Sequence, residues 1–292
     1  MKILYRYREG TSIFQEKWDN LIILDACRYD IFEDKYRDRE IIGKLSKKIS
    51  KGAHTVPFLL KNFQKDYYDE FIYITANPQV NIFLNNKFFK TISVWKDHWH
   101  KKYNTVLPEV IYEYSIENLI KYPTKKQIIH FMQPHCPYIG YDLGYENFKI
   151  FQKQLLKNKV IDIKKKYRDG LFAIYSMDIF AKLELEDHWK MYEKNLDLVI
   201  EWVEKLIHKL PGTTIITADH GEAFGEYLHP LIPIRFYGHR ESVRIKPLIE
   251  VPWLRIENSD KNKGKSNEIT EREKIIENIK TLKGKLMEKK GR

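Results

Sequence analysis

Thr213-Thr214-Ile215-Ile216-Thr217-Ala218-Asp219-His220-Gly221-Glu222 is the stretch whose reading decides the fold. Its first five residues, all Thr or Ile and preceded by Pro211-Gly212, read as a β-strand. The apolar character is continuous rather than alternating, which predicts a strand buried on both faces, as in a parallel sheet. Polar residues follow at once. In open α/β sheets ligands bind beyond the carboxyl ends of the strands, so Asp219 and His220 become candidate site residues. Together they offer a hard carboxylate oxygen and an imidazole nitrogen, a pair suited to Zn²⁺ or Mn²⁺. Gly221 lets the backbone approach closely. A purely structural turn is the competing reading.

Working outward, Leu21 to Leu24, Phe71 to Thr75 and Ile128 to Met132 are apolar runs of the same kind. A helix is predicted from about His188 to Leu210, because Tyr192, Leu196, Val199, Ile200, Val203, Leu206 and Ile207 recur at helical spacing. Pro211-Gly212 stops it. Strands alternating with helices predict an α/β domain with helices on both faces.

Two other strand ends carry groups that a core would reject. Asp25 follows Leu21-Ile22-Ile23-Leu24, where it either caps the next helix or serves a site. His135 lies between Pro134 and Cys136-Pro137, a rigid setting for a functional group, although a packed core histidine would also fit.

The net charge of +11 and pI near 9.2 favour anionic partners, unless the lysines only solvate the surface. With 43% hydrophobic residues in 292, the chain can bury one large core. Two cysteines far apart, Cys27 and Cys136, exclude a disulfide framework and a zinc finger. The first residues lack the apolar run of a signal peptide, and no apolar window is long enough for a transmembrane helix. A soluble, cytoplasmic protein is the resulting expectation.

Taken together, these strings resemble the alkaline-phosphatase superfamily, and its sulfatase-like branch in particular. Asp25 after its strand resembles the first metal-binding strand of that branch, and Thr217 to Glu222 its second metal motif. His135-Cys136-Pro137-Tyr138 is similar to its His-x-Pro-Tyr loop. Tyr237-Gly238-His239, followed by Glu241 to Leu248 and Val251-Pro252, is similar to its Gly-His element before a final core strand. Lys51-Gly52-Ala53-His54-Thr55-Val56-Pro57 resembles the Thr-x-Pro nucleophile pattern, with a helix cap as the other role for Thr55. The motifs stand in family order across roughly residues 18 to 256.

The resemblance implies a three-layer αβα sandwich with a mainly parallel sheet. Residues 1–256 would form the catalytic domain, and 257–292 a polar linker with a Lys-rich C-terminal helix from Ile269 to Met287. It implies a metal set of Asp25, Thr55, Asp219 and His220, holding Mn²⁺ or Zn²⁺, with Mg²⁺ or Ca²⁺ as further candidates. Thr55 would be the nucleophile. His135 and His239 would bind phosphoryl oxygens or act as acid, and Arg28 and His54 would complete the substrate contacts. No Asp stands four residues before His135, where Phe131 lies, so one ion is expected rather than two. His98, His100 and His229 are expected to be structural or exposed. Neither cysteine fits the pattern that matures to formylglycine, so none is expected.

The activity implied is hydrolysis of phosphate mono- or diesters, with sulfate esters as an extension, through a covalent Thr55 intermediate. The alternative within the fold is transfer of a phospho group to a glycan or glycerol acceptor. A rival of another class is a non-catalytic polyanion-binding protein. The substrate expected is an anionic small molecule or glycan ester rather than nucleic acid.

Overall fold

A computed structural model describes residues 9–39, 41, 43–141, 185–229 and 231–257. In chain order the elements are β1 (Asn20–Leu24), α1 (Tyr29–Arg37), β2 (Lys44–Ile49), α2 (Thr55–Asn62), β3 (Tyr68–Thr75), α3 (Pro78–Phe83) and β4 (Phe88–Ser93). Then come α4 (Pro108–Lys121), β5 (Lys126–Phe131), α5 (Leu185–Ile207), β6 (Thr213–Thr217), β7 (Ala223–His229), β8 (Ile232–Gly238), α6 (Lys246–Ile249) and β9 (Glu250–Glu257).

Seven strands form the main sheet in the order β2-β9-β6-β1-β5-β3-β4, and β7 and β8 form a separate two-stranded sheet. β1 pairs in parallel with both β5 and β6, and β3 in parallel with β5 and β4, whereas β9 runs antiparallel to β6 and β2. The central position of β1 follows from its sequence. All five of its residues are buried, as a strand covered on both faces requires.

Alternate side chains sort onto two faces. Ile22, Leu24, Ile72, Ile74, Ile129, Phe131 and Ile216 pack with α1, α4 and α5. Leu21, Ile23, Tyr73, Ile128 and Ile215 pack with Phe58 and Leu59 of α2 and Val80 of α3. This is the three-layer αβα sandwich expected. The helical stripe from Tyr192 to Ile207 is buried as its spacing predicts, each Leu or Ile stabilising by about 1.5 to 3 kcal/mol. The helix starts a little earlier and ends a little sooner than the sequence suggests.

Both edge strands escape a sequence reading. β2 is Lys-Leu-Ser-Lys-Lys-Ile with no buried residue, and β4 buries only Phe88. Lysines on an edge strand block edge-to-edge pairing with other chains, and they also hide the strand's apolar pattern. The expected helix from Ile269 to Met287, and with it the C-terminal segment from 258 onward, lies outside the described residues.

Candidate active site

The carboxyl ends of β1, β3, β5 and β6 point the same way and deliver their following residues to one place. Leu24, the last residue of β1, lies beside Phe131 of β5, and Ile23 beside Thr217 of β6. Asp25 and Asp219 therefore leave adjacent strands side by side. Ala26 takes a positive φ of 58°, sparsely allowed for a residue with a Cβ. That turn aims its N–H at Asp219 Oδ1, 3.1 Å away, while its carbonyl accepts from the Tyr192 hydroxyl at 2.8 Å. Gly221 is required by close approach, since a Cβ there would lie 1.9 Å from the Pro247 carbonyl oxygen.

The four expected metal residues converge. Thr55 Oγ1 is 3.3 Å from His220 Nε2. His220 Nε2 is in turn 3.4 Å from Asp219 Oδ2 and 3.7 Å from Asp25 Oδ1. Ligands about 2.1 Å from a shared tetrahedral ion would stand about 3.4 Å apart. Asp25 Oδ1 and Asp219 Oδ2 are buried without a hydrogen-bond partner. Buried oxygens of this kind demand a counter-charge. Burial, then the neighbouring Asp219, pushes the Asp25 carboxyl well above its usual range. A divalent cation relieves both penalties, so these residues fit one.

Thr55 is the first residue of α2, and His54 is the cap, its Nδ1 accepting from Val56 N at 3.3 Å. Thr55 thus does not serve as the cap. Its hydroxyl sits buried at the positive end of the helix, facing His220.

Four imidazoles gather above the carboxylates. The His220 and His239 ring centroids are 4.4 Å apart, His54 and His239 5.1 Å, and His135 and His239 5.0 Å. Burial first, and neighbouring histidines second, hold His54, His220 and His239 well below the usual histidine range. They are neutral at pH 7 and available as ligands, acceptors or donors.

His135, Glu222 and His239 form a second donor group whose atoms lie within 4.8 Å of one another. The expectation of one ion rested on the lack of a carboxylate near His135 in sequence. Glu222 supplies that carboxylate from another element, because β7 begins just after it and β8 ends just before His239, with Ala223 paired to Gly238. His239 Nδ1 stands 3.0 Å from Glu222 Oε1. Burial raises the Glu222 carboxyl to about 7.

Arg28 Nε and Nη2 donate to Asp30, and Nη1 donates to the Glu222 carbonyl and to Glu226. The guanidinium also lies 5.1 Å from the Trp189 ring centroid. A cation this buried needs its charge paired inside the protein. Arg28 ties α1 to the β7 hairpin through these contacts. His98 and His100 pair with Tyr114 and Tyr103, and His229 lies on the hairpin, away from the carboxylates.

Three residues were not singled out from the sequence. Asn77 donates to Asp25 Oδ2 at 2.5 Å. It stands just past β3, so the rule that found Asp25 applies to it as well. Glu222 stood inside the quoted motif. His130 lies within β5, where an apolar run conceals it, and burial pushes its pKa down to about 4.

No family model matches the chain, and no curated protein matches it in sequence. Solved structures do. The soluble domain of lipooligosaccharide phosphoethanolamine transferase A from Neisseria meningitidis aligns with a TM-score of 0.53 at 13% identity, over 88% of this chain and 81% of that one. The integral membrane form of that transferase aligns with a TM-score of 0.51 at 12% identity, and the match spans 88% of this chain and half of that one. A protein in the alkaline phosphatase superfamily from Vibrio parahaemolyticus aligns at 14% identity, over 85% of this chain and 62% of that one, with a TM-score of 0.42. The first two likenesses show the fold, the three-layer αβα sandwich described above. Among the described residues no helix is long and apolar enough to cross a membrane.

Proposed function

We propose that this chain is a metal-dependent phospho-group transferase working through a covalent ester on Thr55. One observation carries the reading. A buried helix-terminal hydroxyl stands 3.3 Å from His220 Nε2, beside two carboxylates with unpartnered oxygens. A divalent ion held by Asp25, Thr55, Asp219 and His220, with Zn²⁺ or Mn²⁺ suited to that set, would neutralise phosphoryl oxygens and make the hydroxyl acidic.

The protein groups divide the remaining work. Thr55 Oγ1 attacks phosphorus, the P–O bond to the donor alcohol breaks, and that alcohol leaves with a proton. The positive end of α2 stabilises the oxyanion during attack. His135 is placed to hydrogen-bond the phosphoryl oxygens. His239 directs Nδ1–H to Glu222, which leaves Nε2 as an acceptor for the proton of the incoming hydroxyl. That hydroxyl then attacks phosphorus and releases Thr55.

A sugar or glycerol hydroxyl as acceptor makes the protein a transferase, and water makes it a hydrolase. The transferase reading is preferred because the two structures with the higher TM-scores are both named as phosphoethanolamine transferases. The net charge of +11 suits an anionic ester.

Nitrophenyl phosphate mono- and diesters, offered with Zn²⁺ or Mn²⁺, test the proposal. The expected result is a burst of nitrophenol equal to the enzyme, a mass adduct on Thr55, and turnover that rises with added glycerol or sugar. Fast steady release in water alone would favour the hydrolase. Absence of both adduct and release, with salt-sensitive polyanion binding that ignores EDTA, would return the protein to the binding class.

A further inference from the structure

Among the described residues, His130 is the one buried imidazole at the strand ends that the chemistry above leaves unused. It lies inside β5, opposite Ile23 of β1 and Thr75 of β3, with no exposed surface. Its Nδ1 is 3.0 Å from the hydroxyl of Tyr73, itself fully buried. Its Nε2 has no hydrogen-bond partner. The nearest acidic atom, Asp25 Oδ2, is 3.7 Å away, too far for a hydrogen bond and already taken by Asn77. An orphaned nitrogen in a dry core leaves its desolvation uncompensated, so its presence requires a reason.

The surrounding atoms supply one. The donor atoms of Asp25, His130 and Asp219 all lie within 4.8 Å of one another. Asp25 Oδ1 and Asp219 Oδ2 are orphaned in the same way. With Nδ1–H donating to the Tyr73 oxygen, the Nε2 lone pair is directed at two carboxylates, and only a cation satisfies all three. A metal-bound histidine characteristically anchors its second nitrogen in this manner.

We infer that His130 Nε2 is a further ligand to the ion held by Asp25, Thr55, Asp219 and His220, with Tyr73 fixing its ring. The inference rests on the reading of those four residues as a metal set. It gives the ion two imidazoles, His130 from the sheet and His220 from the loop after β6. Two nitrogen donors turn the site away from Mg²⁺ and Ca²⁺ and toward Zn²⁺.

The test uses the whole chain with one equivalent of Zn²⁺, in a His135→Ala, His239→Ala background that removes the other donor group. X-ray absorption at the zinc edge counts the imidazoles, and calorimetry gives the affinity. Two imidazoles are expected in that background, and one after adding His130→Gln, with affinity lower on the order of 10- to 100-fold. Tyr73→Phe should retain two imidazoles with weaker binding. Glutamine keeps an N–H near the Nε2 position, so a mere hydrogen-bonding role toward Asp25 would be rescued by it. One imidazole before His130 is altered, or unchanged affinity in His130→Gln, overturns the inference while leaving the four-residue set intact. A protein that binds no Zn²⁺ at all overturns both.

Discussion

The buried end of the parallel sheet and the β7–β8 hairpin contribute to the same site by opposite means. Asp25, His130 and Asp219 come from neighbouring strands whose side chains are fully packed. Glu222 and His239 come from the two feet of a hairpin whose body exposes Tyr227, Leu231, Ile234 and Tyr237. Donors rooted in a packed sheet are held close to one geometry. Donors at the feet of the ribbon are held by the Ala223–Gly238 pairing, by Arg28 on Glu222 and Glu226, and by Phe224 against Trp189 and Tyr192. In the proposed function, the sheet side holds the ion and the hairpin feet face the ester.

The largest effect should fall on α2, where Thr55 faces the donors that leave the sheet. Thr55→Ala should lower turnover by about a thousandfold or more, at least about 4 kcal/mol in barrier, because alanine offers no oxygen to attack phosphorus. Since His54 caps α2, the melting temperature should barely move. A mutant that keeps near wild-type turnover would remove Thr55 from the chemistry.

Glu222 sets the next expectation. Its folded pKa, raised by burial from 4.5 to about 7, means the metal-free folded state prefers the protonated acid. Its contribution is therefore complete below about pH 4.5 and disappears as pH climbs through about 7. The loss is about 3 kcal/mol across that window. Denaturant midpoints of metal-free protein against pH would show the slope, and Glu222→Gln should flatten it. A wild-type profile that rises over the same window would contradict the assignment.

Gly221→Ala probes the join between sheet and loop. A Cβ against the Pro247 carbonyl must displace backbone, costing about 2 to 3 kcal/mol, measurable as a lower denaturant midpoint. An unchanged midpoint would show that the loop after β6 is softer than the strand ends.

The hairpin body should give the smallest response. Leu231, 86% exposed, should tolerate Leu231→Ser within about 0.5 kcal/mol, with no change in Zn²⁺ affinity. A large loss of stability would mean the hairpin is as tightly built as the sheet.

Asp25, Asp219 and His220 were legible because a charged or polar group directly after a buried apolar strand is anomalous in one dimension. Asn77 obeyed the same rule but sits before Pro78, so it reads as an ordinary turn and cap, a role it also fills toward Gln79. His130 was concealed for the opposite reason. It stands among Ile128, Ile129 and Phe131, and strand periodicity absorbs a single histidine. Nothing local reveals that Glu226 and Trp189 surround the Arg28 guanidinium.

Hydrophobic spacing and strand-terminal polar groups are local, and they were enough to predict the αβα architecture, the buried stripe of α5 and Asp25, Asp219 and His220 as candidates, whereas Thr55 entered through the family resemblance. Which carboxylate faces His135, which partner neutralises Arg28 and where His130 Nε2 points depend on residues distant in the chain. The surroundings of His130 were decided when the strands took the order β6-β1-β5-β3, and the other two when the β7–β8 hairpin settled beside Arg28 and His135. The physical reason is that a buried charge or lone pair is satisfied by whatever lies within a few ångströms of it, and that neighbourhood is set by how the elements pack rather than by position along the chain.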